Sequence, residues 1–263
     1  MKKHALAVSI ALVAVVFLSA CGGDPKVESA KGDTTAKSVD NDEPKAASKN
    51  VKEYFEAVVS GDPDQLGDAM KLVVPGSVAE AYLKYQRAGV DASIDNGSPD
   101  EATELETVDD GFKDCSNPDD PSDCVTWADF EATAGKLANF TVNNVPLNKR
   151  ITVGDGSKVS AGQLGTVEFL VAYQSVQSGD LFVIVKVASK GAPVAINSGN
   201  AAYRGVDKRQ SQNSSYYGVE ELEADSTGTL GLIFTKAKVG GTLTLTLNSE
   251  DYMQTSKAKI KTQ

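Results

Sequence analysis

Few residues in this sequence could carry covalent chemistry: three cysteines, Cys21, Cys115 and Cys124, and one histidine, His4. Histidine is the usual general base near neutral pH, and cysteine can act as nucleophile, metal ligand or disulfide partner. His4 lies in a segment that we expect to be removed, so the mature chain has no histidine. This excludes Ser-His-Asp and Cys-His catalysis and most zinc sites. The sequence therefore predicts no catalytic residue, no metal site and no cofactor.

Cys115 and Cys124 enclose a turn-rich segment of Ser, Asn, Pro and Asp. Outside the cytosol, two cysteines this close in such a segment are expected to form a disulfide bond. Their spacing is not that of a CxxC redox motif. Four acidic residues crowd the same segment: Asp114, Asp119, Asp120 and Asp123. Such carboxylates either bind calcium or are solvated turn residues, and the EF-hand order of ligands and glycine is missing.

Cys21 is preceded by the three parts of an export signal. Lys2, Lys3 and His4 form a basic start, residues 5–17 are apolar apart from Ser9, and Leu-Ser-Ala-Cys occupies positions 18–21. The apolar run is shorter than the roughly 20 residues that a membrane-spanning helix needs. An ordinary secretory signal with an incidental cysteine is the alternative.

Positions 18–21 resemble the lipobox of bacterial lipoproteins at all four places. The resemblance implies removal of residues 1–20 as a signal peptide and acylation of Cys21 with diacylglyceryl and fatty-acyl (palmitate-type) chains. Several acyl chains hold a protein stably in a bilayer. We therefore expect a secreted lipoprotein on the extracytoplasmic face of the cell membrane, with the lipid bilayer as its first partner.

Residues 21–47 are rich in Asp, Lys, Ser and Thr and contain no aromatic residue. Such a segment cannot bury enough apolar surface to offset chain entropy, so it is predicted to be a disordered tether. The whole chain carries 26 basic and 36 acidic residues, with a formal charge of −10. This acidity argues against nucleic acid as a partner, because phosphate binding needs clustered Lys and Arg.

Residues 48–153 begin with three amphipathic helical segments. The apolar positions 51, 54, 55, 58 and 59 lie on one helical face, Asp62 and Ser77 are predicted N-caps, and Gly89 is predicted to end the third helix. Strand patterns follow at 104–109, 124–133, 137–145 and 149–153. The break Gly-Asp-Pro at 61–63 and this order resemble the NTF2-like (SnoaL-like) superfamily.

That resemblance implies an α+β cone, which in some members is an enzyme and in others a binding or scaffold domain. Trp127 and Phe130 are expected in the core or in the lining of the cone, with a ligand contact as the alternative.

Residues 154–263 are rich in glycine and β-branched residues. Strands are expected at 166–176, 181–188, 216–222, 228–234 and 241–247. Their order resembles the Ig-like domains of Gram-positive lipoproteins, which implies a second, all-β sandwich. The exact boundary between the two domains falls somewhere in 136–160. Arg204, Lys208 and Arg209 form a local basic segment, expected to be a solvated loop.

The predicted fold class is thus an α+β NTF2-like cone followed by an all-β Ig-like sandwich. The predicted function is non-enzymatic binding or scaffolding of an envelope component, with an envelope protein or a small ligand as partner. The alternative is a small-ligand receptor or a histidine-independent enzyme that uses the cone.

Overall fold

Three α-helices open the part of the chain that the structure, a computed structural model, describes: residues 43–99, 101–117 and 119–263. They are α1 (Glu43–Val58), α2 (Pro63–Ala69) and α3 (Val78–Asp95). The predicted signal peptide, Cys21 and the predicted tether up to residue 42 lie outside the described residues. Helix α1 overlaps the last residues of that predicted tether. Within the described ranges, no helix is long and apolar enough to cross a membrane.

The starts of α2 and α3 are capped by the predicted residues. The Asp62 carboxylate accepts a hydrogen bond from the backbone N–H of Asp64 at 2.8 Å and one from the Gln65 side chain at 3.1 Å. The Ser77 hydroxyl accepts from the backbone N–H of Glu80 at 3.2 Å. These bonds satisfy N–H groups that the first turn of a helix leaves without partners, and both predicted caps are confirmed.

Helix α3 is longer than predicted. Gly89 does not end it, since the helix continues to Asp95. Glycine inside a helix costs about 1 kcal/mol relative to alanine, and tertiary packing can outweigh such a cost. Here the Tyr217 hydroxyl lies 3.9 Å from where a Gly89 side chain would begin. A side chain here would make ordinary contact with that hydroxyl, so the space around Gly89 does not require glycine.

The first sheet is an antiparallel meander in which each strand pairs with the next along the chain. Its strands are β1 (Glu106–Val108), β2 (Gly111–Cys115), β3 (Cys124–Thr133), β4 (Lys136–Val142) and β5 (Val145–Pro146). Of these, β2 was not predicted.

Two further antiparallel sheets follow. The second sheet consists of β6 (Ile151–Val153), β7 (Lys158–Ser160), β8 (Gly165–Gln174), β9 (Leu181–Ser189), β13 (Ser215–Gly218) and β15 (Thr227–Phe234). The third sheet consists of β10 (Val194–Ile196), β11 (Ala202–Arg204), β12 (Gln210–Gln212), β14 (Glu221–Leu222), β16 (Thr242–Ser249) and β17 (Thr255–Lys261). The predicted domain boundary at 153/154 falls between β6 and β7, which both pair with β8.

The second sheet is covered on both faces, and two hydrophobic cores result. Val183 and Val185 of β9 point into a core shared with the third sheet. Ile184 of the same strand and Tyr173 of β8 belong to a core shared with the helices and the first sheet. Alternate residues of a strand face opposite sides, so a doubly covered strand is apolar throughout. Helix α3 therefore lies between the first and second sheets.

The predicted fold class is wrong. The structure is mostly β, with 43% strand, 21% helix and three antiparallel sheets, and it does not begin with an NTF2-like α+β cone. In place of one sheet curved around helices, two separate sheets enclose α3. The second and third sheets pack face to face with twelve strands, where an Ig domain has about seven to nine. The described residues belong to one compact unit.

Candidate functional site

The most promising site is a groove between α3 and the edge of the second sheet, which we call the α3 groove. Its volume is about 530 Å³. It is lined by Met70, Glu80, Lys84, Arg87, Ala88, Asp91, Val153, Gly154, Gly156, Glu168, Phe169 and Leu170. A second cavity of about 330 Å³ shares Glu80, Lys84 and Val153 with it and extends the groove toward the start of α3. The main cavity falls within the usual size range of small-molecule sites, roughly 300–1,000 Å³.

The floor of the groove is built by an irregularity in the second sheet. The register of β8 with β9 shifts between Phe169 and Val171, a β-bulge. Opposite the bulge, the backbone N–H of Gly154 donates to the Leu170 carbonyl at 2.8 Å. A side chain at Gly154 would collide with the Phe169 carbonyl oxygen, so this position requires glycine. Bulges of this kind re-aim side chains and occur often beside binding sites.

One wall of the groove carries two cations on successive turns of α3. Lys84 pairs with Glu80 at 3.2 Å, four residues earlier on the helix. Arg87 is exposed and forms no ion pair within 4.0 Å with any described residue. An arginine in this state can offer its planar donor group to a carboxylate or phosphate of a ligand.

Asp91 lies one turn beyond Arg87 and is half-buried. Partial burial raises the pKa of its carboxyl group, and the nearby Arg87 guanidinium opposes that rise. Across the groove, Glu168 stands in register between Lys158 of β7 and Lys186 of β9. The groove thus has an apolar floor and charges of both signs, which suits an amphipathic ligand.

The residues that were expected to line a cone are part of the first core. Trp127 is 2% exposed and packs on the ring of Phe55 at a centroid distance of 5.0 Å. Its indole N–H donates to the Tyr82 hydroxyl at 3.4 Å. Phe130 packs against Phe55 and Phe112. Of the two alternatives for Trp127 and Phe130, packing in the core is the one that the structure supports.

The predicted disulfide is confirmed. Cys115 and Cys124 face each other in the register of β2 and β3, with their Cα atoms 4.0 Å apart, and their sulfurs are bonded. The bond closes the loop 116–123. Gln177, in the turn between β8 and β9, donates its side-chain N–H to the Cys124 carbonyl at 2.8 Å. The closed loop therefore contacts the second sheet.

Of the four acidic residues, Asp120 acts as a turn former, and Asp114 lies in β2 before the loop. The Asp120 carboxylate accepts from the backbone N–H of Ser122 at 2.9 Å and caps a short 3₁₀ turn. Among the described residues, no group of three or more potential metal ligands comes together. The basic segment is spread over β11 and the turn after it, where Arg209 pairs with Asp207 at 3.7 Å. Neither segment contributes to the α3 groove.

Sequence reasoning missed the α3 groove. Part of a signal was present, because Lys84 and Arg87 lie three residues apart on the polar face of the predicted helix, whereas Asp91 lies beyond Gly89, its predicted end. The opposite wall comes from β6 and β8, roughly seventy residues later in the chain. No protein-family model matches this chain, and no curated protein matches it. Functional inference therefore depends on the geometry of the molecule and on its sequence motifs.

Proposed function

We propose that this chain is a lipid-anchored, extracytoplasmic binding protein without enzymatic activity, and that the α3 groove holds its ligand. The observation that carries the proposal is the groove itself, in which Arg87 forms no ion pair with a described residue and lies above an apolar floor. Acylation of Cys21 would keep the protein on the outer face of the cell membrane. Its partner is an envelope component, either a protein segment or a small ligand.

The chemistry of the groove supports binding more than catalysis. Its titratable residues are Glu80, Lys84, Arg87, Asp91 and Glu168, with no histidine, cysteine or serine among the lining residues. The guanidinium group of Arg87 is a hydrogen-bond donor and has no acceptor atom, so it does not suit the role of a base. The alternative function, an enzyme with its active site in an NTF2-like cone, has lost its structural basis, because the structure does not begin with such a cone.

The proposal is tested by photo-cross-linking in intact cells. A photoactivatable amino acid in place of Met70 is expected to form a specific adduct, because Met70 lines the groove. The double variant Lys84→Gln, Arg87→Gln should lower the adduct yield at least tenfold, since it removes both cations and leaves the apolar floor. Thermal unfolding of the purified variant verifies that the fold is intact.

The matched control places the same cross-linker at Lys136, an exposed residue at the start of β4 that is outside the groove. It should give no such adduct. Equal adducts from both positions, or a yield at position 70 that the double variant leaves unchanged, would rule out the groove as the binding site.

A further inference from the structure

The outer surface of the third sheet carries an ordered array of lysine and threonine side chains, which we call the Lys/Thr face. In β16, Leu243, Leu245 and Leu247 are buried in the second core, so the threonines between them point outward. In β17, Ala258 and Ile260 are buried in the same core, so the lysines beside them point outward as well.

Strand register places these residues in rows. Lys257 is opposite Thr246, Lys259 is opposite Thr244 and Lys261 is opposite Thr242. Side chains that are directly opposite in an antiparallel pair lie on the same face of the sheet. Alternate residues along a strand are about 7 Å apart, so the three ammonium groups form a line with that spacing.

Arg204 of β11 extends the row of Lys261 and Thr242, because it is opposite Thr242 on the other side of β16. Each of the three lysines and Arg204 is exposed. Within the described residues, none of these four cations forms an ion pair within 4.0 Å. The face is therefore an uncompensated positive surface on a chain with a formal charge of −10.

Three carboxylates lie at the other end of this sheet, whereas Asp207, in the turn after Arg204, pairs with Arg209. Glu221 is opposite Ala195 at the far edge of the sheet, and it lines a cavity of about 280 Å³ together with Glu223 and Glu250. A negatively charged partner is attracted to the lysine end and repelled by the glutamate end. This separation limits such a partner to the rows of β16, β17 and β11.

We propose that the Lys/Thr face binds a linear anionic polymer with repeating phosphodiester groups. Each row offers a lysine ammonium group, which attracts phosphate as a point charge, and a threonine hydroxyl, which donates a hydrogen bond to a phosphate oxygen. One exposed lysine contact is worth little alone. Several phosphates on one chain engage the line of lysines together, with a gain in effective concentration.

A flat anionic membrane is a poorer match than a polymer. Three of the four cations form a narrow line along β17, whereas a flat membrane would also meet the glutamates at the other end of the sheet and be repelled by them. The proposal does not depend on the α3 groove or on the anchor, because the two surfaces share no residue.

The test measures binding of the full chain, in neutral detergent, to immobilised poly(glycerol phosphate) over a range of salt concentrations. The triple variant Lys257→Thr, Lys259→Thr, Lys261→Thr should lose at least tenfold in affinity, and threonine suits an exposed strand position. The slope of log affinity against log salt should become shallower by about 0.7 for each lysine removed, if counterion release follows the behaviour of single-stranded polyanions.

The matched control removes three exposed lysines from other surfaces: Lys136, Lys149 and Lys190, each changed to threonine. Its affinity should stay within twofold of the unmodified chain. Equal losses in the two triple variants, or no binding by the unmodified chain, would overturn the proposal. So would a tenfold preference for phosphatidylglycerol over phosphatidylcholine vesicles that the first triple variant loses, because that result assigns the face to a membrane.

Discussion

At the scale of single residues, one tyrosine lies between two glycines where α3 contacts the second sheet. Tyr217 of β13 is directly opposite Gly231 of β15, and its ring covers that glycine. The Tyr217 hydroxyl approaches Gly89 of α3. The two glycines differ in the space around them, because a side chain at Gly231 would overlap the ring and one at Gly89 would make ordinary contact.

We therefore expect opposite effects from the same substitution. Gly231→Ala should lower the free energy of unfolding by about 1–3 kcal/mol, the usual range for overpacking. Gly89→Ala should be neutral or should stabilise by up to about 1 kcal/mol, because alanine is the better helix former. Urea unfolding of the two variants measures both effects.

A second pair of variants tests the cause. In a Tyr217→Leu background, Gly231→Ala should lower the free energy of unfolding by clearly less than in the unmodified chain, because the colliding ring is absent. If Gly231→Ala lowers the free energy of unfolding equally in both backgrounds, the Tyr217 ring is not what makes glycine necessary at position 231.

At the scale of elements, the helix caps and the long strands could be predicted from sequence, because local residue patterns determine them. The caps Asp62 and Ser77 and the long strands β3, β8, β9, β15 and β16 follow from capping residues and alternation. Strand β17 was missed although its lysines at 257, 259 and 261 alternate with Ala258 and Ile260, because lysine and alanine are uncommon in strands. The partners of α3 could not be predicted, because its sheets are formed by residues far apart in sequence. A hint was the apolar run of β9, which is typical of a strand covered on both faces.

The disulfide between β2 and β3 gives a prediction at this scale. Replacing Cys115 and Cys124 together by alanine should lower the free energy of unfolding by about 2–3 kcal/mol, because a short cross-linked loop restricts the unfolded chain. Urea unfolding with and without a reducing agent measures the effect. Reduction of the unmodified protein should reproduce most of the loss. The double variant itself should not respond to the reductant, and a response there would point to another cause.

At the scale of the whole molecule, the layers keep the two proposed binding surfaces apart. The α3 groove lies between α3 and an edge of the second sheet, and the Lys/Thr face is the outer surface of the third sheet. The second core lies between them. The α3 groove could not be predicted from sequence, because a helix and strands far apart in the chain form it. The Lys/Thr face was missed because β17, which pairs with the strand just before it, was not predicted, and because Arg204 comes from an earlier strand. Their separation allows a ligand and a polymer to be held at once.

The proposed lipid anchor on Cys21 concerns the whole molecule, because it would determine where both binding surfaces are located in the cell. In cells fed a labelled fatty acid, the unmodified chain should incorporate the label and Cys21→Ala should not. The matched control is the double variant Cys115→Ala, Cys124→Ala, which removes the disulfide-bonded cysteines and leaves no new free thiol, and it should keep the label. Label on the Cys21→Ala variant, or none on the unmodified chain, would contradict the anchor.

The position of α3 between two sheets also sets an order of events during synthesis. A chain that emerges from its N-terminus presents α3 long before β15, yet Asp95 at the end of α3 accepts a hydrogen bond from the backbone N–H of Thr229 in β15 at 2.6 Å. The face of α3 that contacts the second sheet remains partly exposed to solvent until residue 234, the end of β15, has been synthesised. Because such distant contacts close slowly, the helical half cannot complete its tertiary structure early. We therefore expect the chain to become resistant to proteases only when nearly all of it has been synthesised.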